Sequence, residues 1–195
     1  FYTADAVERQ NAIANLGCSN EDIMGYVYTT PQSGTVPLFR LFSSSLSNHV
    51  YTINTRQKDL LPSVSDYIYE GIAAYVYPTQ TQGTMPIYRL YCSSLTDNLF
   101  TMDKLEHDGV IRSGLCTDEP IEGYAYPLIS CFDTDEGLNT AQKGTATKYN
   151  RGQIAESKVD SCTTPSSVVV EYYCSGTNII QTIQSCPSGT SCTNG

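Results

Sequence analysis

Apolar residues in this chain gather in short runs bounded by polar turns. The run VPLFRLF (Val36 to Phe42) predicts a strand, with Pro37 tolerated near its start. A polar turn over Ser43 to Asn48 leads into Val50 to Ile53, which predicts the return strand of a hairpin. Asn54 then suits the cap of a short helix ending near Pro62. The Tyr-rich run Tyr69 to Tyr77 predicts a third strand, and TQTQGT (Thr79 to Thr84) reads as a linker.

The same order of elements returns from Met85 to Tyr126, offset by 49 residues without a gap. Pro37 falls on Pro86, Arg40 on Arg89, Thr52 on Thr101, Glu70 on Glu119 and Tyr75 on Tyr124. One step back, a further copy is under way at Phe1: Thr3 aligns with Thr52, Glu21 with Glu70, Tyr26 with Tyr75 and Tyr28 with Tyr77. There FYT predicts the end of a strand. Ala4 to Leu16 predicts a helix, with Ala6, Val7, Ile13 and Leu16 near the helical period and Gly17 as its stop, and Glu21 to Tyr28 predicts another strand. Gly34 and Gly83 are equivalent and predict one shared turn geometry.

A fixed period of this size marks units that bury little alone and pack on their neighbours. The expected fold is mainly β with short helices: a pseudo-threefold ring of three units, propeller-like with the helices outside, or alternatively a β-trefoil. The first copy lacks the opening hairpin strand, about 13 residues, to be supplied from upstream or by a later segment that closes the ring and removes exposed edges. The repeats span 1–130 (1–35 partial, 36–84 and 85–130). From 131 to 195 the period stops, and a small Cys-rich β module is expected, with strands Val168 to Tyr173 and Asn178 to Ile183 around Ser175-Gly176 and a loop at Cys186 to Cys192.

Charge and cysteine content narrow the function classes. Acidic residues outnumber basic ones 20 to 11, for a net charge of −9, which disfavours nucleic acid and anionic membrane surfaces as partners. Eight cysteines, five of them in the tail, point to an oxidising, extracellular compartment and a secreted protein. If all eight pair within the chain, the tail's five and the repeats' three share at least one bridge. No apolar run approaches the roughly 20 residues that span a bilayer, so membrane insertion is not expected. No leader is visible, which reads as a mature or trimmed form, and no N-glycosylation acceptor occurs.

Several residues are candidates for chemistry. Arg40 and Arg89 stand mid-strand among apolar neighbours and need partners, which Glu21, Glu70 and Glu119 are placed to provide. These pairs read either as one structural ion pair per unit or as the polar floor of a ligand pocket. Arg beside Tyr suits a sugar, whose hydroxyls meet planar donors and whose ring meets aromatic faces. The bend holding Asn48, His49 and Tyr51, repeated around Asp97 and Asn98, reads as turn chemistry or as a repeated hydrogen-bonding site. Asp133, Asp135 and Asn139 resemble the opening of a calcium loop around Gly137, but Gly144 stands where its closing Glu would be, so an Asx-rich turn competes with a Ca²⁺ site. No other cofactor is expected. No nucleophile motif, P-loop or dinucleotide fingerprint occurs, and His49 and His107 do not align in the repeat, so catalysis is not expected.

The elements PLFRLFSSSLSNHVYT and PIYRLYCSSLTDNLFT, followed by YEGIAAYVYP and IEGYAYP, resemble a secreted Tyr/Arg-rich repeat family found in fungal proteins and at the ends of bacterial cell-wall hydrolases. That resemblance implies a glycan or polysaccharide partner on a cell wall or surface, and a lectin-like role. The family's His-Phe-Tyr-Thr element is His49-Val50-Tyr51-Thr52 here, and Asn98-Leu99-Phe100-Thr101 lacks the His. The family is also similar to the small non-catalytic subunit of fungal two-subunit laccases, which implies an accessory role beside a secreted enzyme as the alternative. In the tail, CFDTDEGLN and EYYC are similar to small Cys-rich modules of secreted and surface proteins.

Overall fold

The computed structural model describes residues 1–163 and 167–193. The chain divides into two compact units: Phe1–Thr81 with Met85–Ala125, and Gln82–Thr84 with Tyr126–Gly195.

In the first unit the repeat is visible in local structure. Helices α1 (Ala6–Asn15), α2 (Thr55–Val64) and α3 (Lys104–Ser113) start one period apart, on N-caps Asp5, Asn54 and Asp103. Each cap side chain accepts from N–H groups of the first turn. Each cap N–H is itself held by a Thr hydroxyl two residues earlier, Thr3, Thr52 or Thr101, at 3.0–3.1 Å. The three threonines therefore recur because each seats a helix start. Helix α2 continues through Pro62 to Val64 rather than ending at the proline.

The strands of this unit are β1 (Val36–Ser43), β2 (Asn48–Thr52), β3 (Tyr67–Val76), β4 (Met85–Pro86), β5 (Tyr88–Cys92), β6 (Asp97–Thr101), β7 (Thr117–Asp118) and β8 (Tyr124–Ala125). They form antiparallel sheets ordered β2-β1-β3, β6-β5-β7 and β4-β8. Both hairpin turns carry their last residue left-handed, Ser47 at φ 53° and Thr96 at φ 51°, again one period apart. Gly34 here and Gly83 in the second unit have φ 80° and 81°. Where the second copy closes β1 to β3 with Ser43 Oγ donating to Asp66 Oδ1 at 2.7 Å, the third has the Cys92–Cys116 disulfide.

Two strands expected in the first copy differ. Residues 1–3 are not in a strand: the Tyr51 hydroxyl accepts from Tyr2 N–H at 2.9 Å and donates to Tyr2 C=O at 2.6 Å, so a side chain satisfies that backbone. Glu21 to Tyr28 is not a regular strand either, and Tyr28 makes a single antiparallel bridge to Tyr75. The equivalent strand β3 owes its length to pairing along β1.

The core is built from equivalent positions. Leu38 and Ile87, Tyr51 and Phe100, and Val76 and Ala125 are buried together, with Tyr2, Val27 and Met24 packed against them. Tyr2, Tyr51 and Phe100, spaced by the period, form a triangle of edge-to-face rings with centroids 5.3–5.9 Å apart. The Tyr2 hydroxyl reaches the Phe100 carbonyl at 2.7 Å as Tyr51 reaches Tyr2.

The second unit contains β9 (Ile129–Asp133), β10 (Thr145–Asn150), β11 (Gln153–Val159), β12 (Ser161–Cys162), β13 (Val168–Ser175) and β14 (Asn178–Ser185). Its two antiparallel sheets are ordered β11-β10-β9 and β12-β13-β14. Hairpin β13–β14 turns at Ser175-Gly176, as its pattern predicts. Strand β11 does not stand out in the sequence, because every one of its residues is exposed and the run carries no apolar face. Disulfides Cys131–Cys174 and Cys162–Cys192 staple this unit. Among the described residues each of the three bridges is internal to its own unit, so the bridge expected from parity is not among them, and Cys18 carries a free thiol. The chain is thus mainly β, with three short helices and several small sheets, and among the described residues no sheet closes into a barrel or propeller.

Candidate functional site

The first unit contains a cleft of about 500 Å³, floored by Tyr2, Tyr51 and Phe100 and edged by Arg40, His49, Glu70, Asp97 and Asn98. Strand β1 carries Arg40 to its side, and α1 brings Glu8 opposite. The guanidinium meets Glu8 as a fork, Nη1 to Oε2 at 3.0 Å and Nη2 to Oε1 at 2.8 Å, and its Nε meets Glu70 Oε2 at 2.7 Å. Glu8 also accepts from the Thr3 hydroxyl. Hydrogen bonding to Arg40 draws the Glu8 carboxyl below its ordinary value, and the bond to Glu8 holds Arg40 above its own.

His49 extends from β2 with its ring between Phe42 (4.7 Å between centroids) and Phe1 (5.4 Å). Its Nε2 lies 3.4 Å from Glu70 Oε2. Burial pushes the imidazole below its ordinary value despite the carboxylate. Burial likewise raises the phenol of Tyr2 to about 12 and that of Tyr51 further, so both remain neutral donors. The cleft thus joins aromatic faces to a fixed fan of carboxylate and amide groups, which complements a polyol ring better than a purely apolar ligand.

Arg89, the period-mate of Arg40, has another role. It is 7% exposed, with Nη1 bonded to Glu122 Oε1 at 2.9 Å and to Gln57 Oε1 at 3.1 Å, and Nε bonded to Asn98 Oδ1 at 2.9 Å. Gln57 stands one period after Glu8, so each Arg reaches the helix of the preceding copy. The acid expected to pair with Arg89, Glu119, does not: its N–H donates to the Arg89 carbonyl at 3.0 Å. The partner is Glu122, 4% exposed, which also accepts from Ile53 N–H at 2.9 Å. Glu122 occupies the position held by Met24 and Ala73 in the other copies, so the period pointed to an apolar residue there. Glu21 is exposed. The ion pair of the third copy is therefore structural, and that of the second faces the cleft.

Asn48 also works structurally: its Nδ2 donates to the Thr96 carbonyl at 2.6 Å and its Oδ1 accepts from the Tyr67 hydroxyl at 2.7 Å. Asp97 is exposed and accepts from Asn98 N–H at 2.7 Å. Of the residues singled out for metal binding, Asp133 and Asp135 lie close to Asp160 and Glu171, which no local pattern marked. Burial first, then the nearby acids, pushes Asp135 up to about 7. The Asn139 side chain instead turns inward on its own loop, accepting from Ala141 N–H at 3.3 Å.

The first unit carries period-spaced caps and ring contacts, with an open cleft lined by residues of all three copies. A family model described as "Domain of unknown function (DUF5648)" matches residues 1–126, and the chain belongs to that family. No curated protein and no solved structure matches the chain.

Proposed function

We propose that this chain is a secreted, non-catalytic, lectin-like protein that binds a cell-wall or surface glycan in the cleft of its first unit. The observation that carries this reading is the pairing of Arg40, held by Glu8 and Glu70, with the aromatic faces of Phe1, Tyr2 and His49 around one 500 Å³ cleft. Glu8, Glu70 and Asp97 outnumber Arg40 there, so hydroxyl and amino groups are favoured and uronate or sialate polymers are not. The three copies are read as a pseudo-threefold ring. Support comes from the Tyr2–Tyr51–Phe100 triangle and from the bridges Tyr28↔Tyr75 and Tyr77↔Tyr124, which repeat at one period. Three disulfides favour an extracellular setting, and among the described residues no helix is long and apolar enough to cross a membrane.

Glycan-array screening followed by calorimetry tests the proposal. Binding to neutral or amino-sugar polymers is expected, weakened at least about tenfold in Arg40→Ala. Absence of binding across cell-wall polysaccharides, or an unchanged affinity in Arg40→Ala, contradicts it.

A further inference from the structure

Four carboxylates converge inside the second unit. Asp133 ends β9, Asp135 lies in the following loop, Asp160 sits between β11 and β12, and Glu171 belongs to β13. Ligand atoms of Asp135, Asp160 and Glu171 lie within 4.8 Å of one another. Asp160 and Glu171 are each 1% exposed and Asp135 is 7% exposed.

Backbone N–H groups fix three of the four. Gly137 donates to Asp133 Oδ2 at 3.0 Å and Asn139 to Glu171 Oε1 at 2.6 Å, while Asp160 accepts from Gly144 at 2.5 Å and Tyr172 at 2.8 Å. The other oxygens are left over. Asp133 Oδ1, both oxygens of Asp135 and Glu171 Oε2 are buried and accept no hydrogen bond. Buried carboxylate oxygens without partners are costly, and a folded chain rarely keeps four together without a cation to take them.

Gly144 shows that the arrangement is built. A Cβ there would fall on the Asp135 carboxylate, and its N–H is the one that holds Asp160. In the calcium-loop pattern this position would carry the closing Glu. Here the backbone comes up against the cluster instead, and Glu171, distant in sequence, supplies the carboxylate.

We propose that Asp133, Asp135, Asp160 and Glu171 form a binding site for one calcium ion, which fastens the loop between β9 and β10 to β13. The donor set is oxygen only, with no imidazole or thiolate in the cluster, which selects a hard cation. Four carboxylates from three segments of the chain suit the variable coordination of calcium better than the strict octahedron of magnesium. The site is independent of the glycan cleft and stands or falls by itself.

The full chain, stripped with a chelator, is titrated with calcium chloride by calorimetry and melted in calcium and in chelator. One site per chain and a rise in Tm of several degrees with calcium are expected. Asp135→Asn and Glu171→Gln weaken calcium binding at least about tenfold and abolish the rise. In chelator the same variants melt at or above the wild-type temperature, because they relieve repulsion among unneutralised carboxylates. That reversal of rank between the two conditions separates a cation site from a hydrogen-bonded structural cluster. No heat and no shift on adding calcium to the wild type overturns the proposal even if neither variant folds. Equal destabilisation by Asp135→Asn in both conditions, or an equal response to magnesium, also overturns it.

Discussion

Arg40 and Arg89 occupy one position of the repeat and differ in what surrounds them. Arg89 and Glu122 are almost fully enclosed, at 8% and 5% side-chain exposure, whereas Arg40 is 17% exposed beside the cleft. Removing one partner of a buried pair strands the other charge, so Arg89→Ala should cost about 3–5 kcal/mol. Arg40→Ala should cost only about 1–2 kcal/mol, because water can reach Glu8 and Glu70. Urea unfolding of the two variants checks this, and equal losses contradict it. His49 gives a pH dependence of defined sign. Its folded-state pKa lies below the ordinary 6.5 because of burial, with Glu70 and Glu8 opposing and Arg40 reinforcing. The folded protein therefore resists a proton that the unfolded chain accepts. No stability is lost on this account above about pH 6.5, and stability falls as the pH drops below it. Between about pH 7.5 and 5.5 the wild-type Tm should fall further than that of His49→Phe, whose ring can fill the gap between Phe1 and Phe42. Equal slopes contradict this assignment.

The helices obey a shared rule, so their starts are predicted to behave alike. Asp5, Asn54 and Asp103 each cap one helix, and replacing any one of them with Ala should cost about 1 kcal/mol, read as a shift in denaturation midpoint. A loss confined to one helix would show that the three starts are not equivalent. This level of structure was the most legible in the sequence. The cap at Asn54, the two hairpins and the helix-to-strand order follow from local chemistry, and the period shows these signals more than once. Legibility failed where a partner lies far along the chain. Glu122 replaces an apolar residue within the repeat, and Asp160 and Glu171 meet Asp135 only once β9, β11 and β13 have assembled. It failed also in β11, whose residues are all exposed and leave no periodic face to read, and in residues 1–3, where the Tyr51 hydroxyl takes the place of strand pairing.

Across the whole chain, the period divides structural work from the ligand role assigned to the cleft. Positions filled alike in every copy, such as the threonines before the caps and the central ring triangle, hold the first unit together. The cleft takes its floor from that shared triangle and its rim from positions where the copies differ: Glu8 against Gln57, His49 against Asn98, and Arg40 partly exposed against Arg89 enclosed. Glycan binding in the cleft is the central claim, and amide NMR of the full chain during titration with an array-selected oligosaccharide tests it most directly. Saturable shifts are expected, confined to residues around Phe1, Arg40, His49 and Glu70, with residues around Glu122 unmoved; shifts centred away from the cleft, or none at saturating sugar, would contradict it.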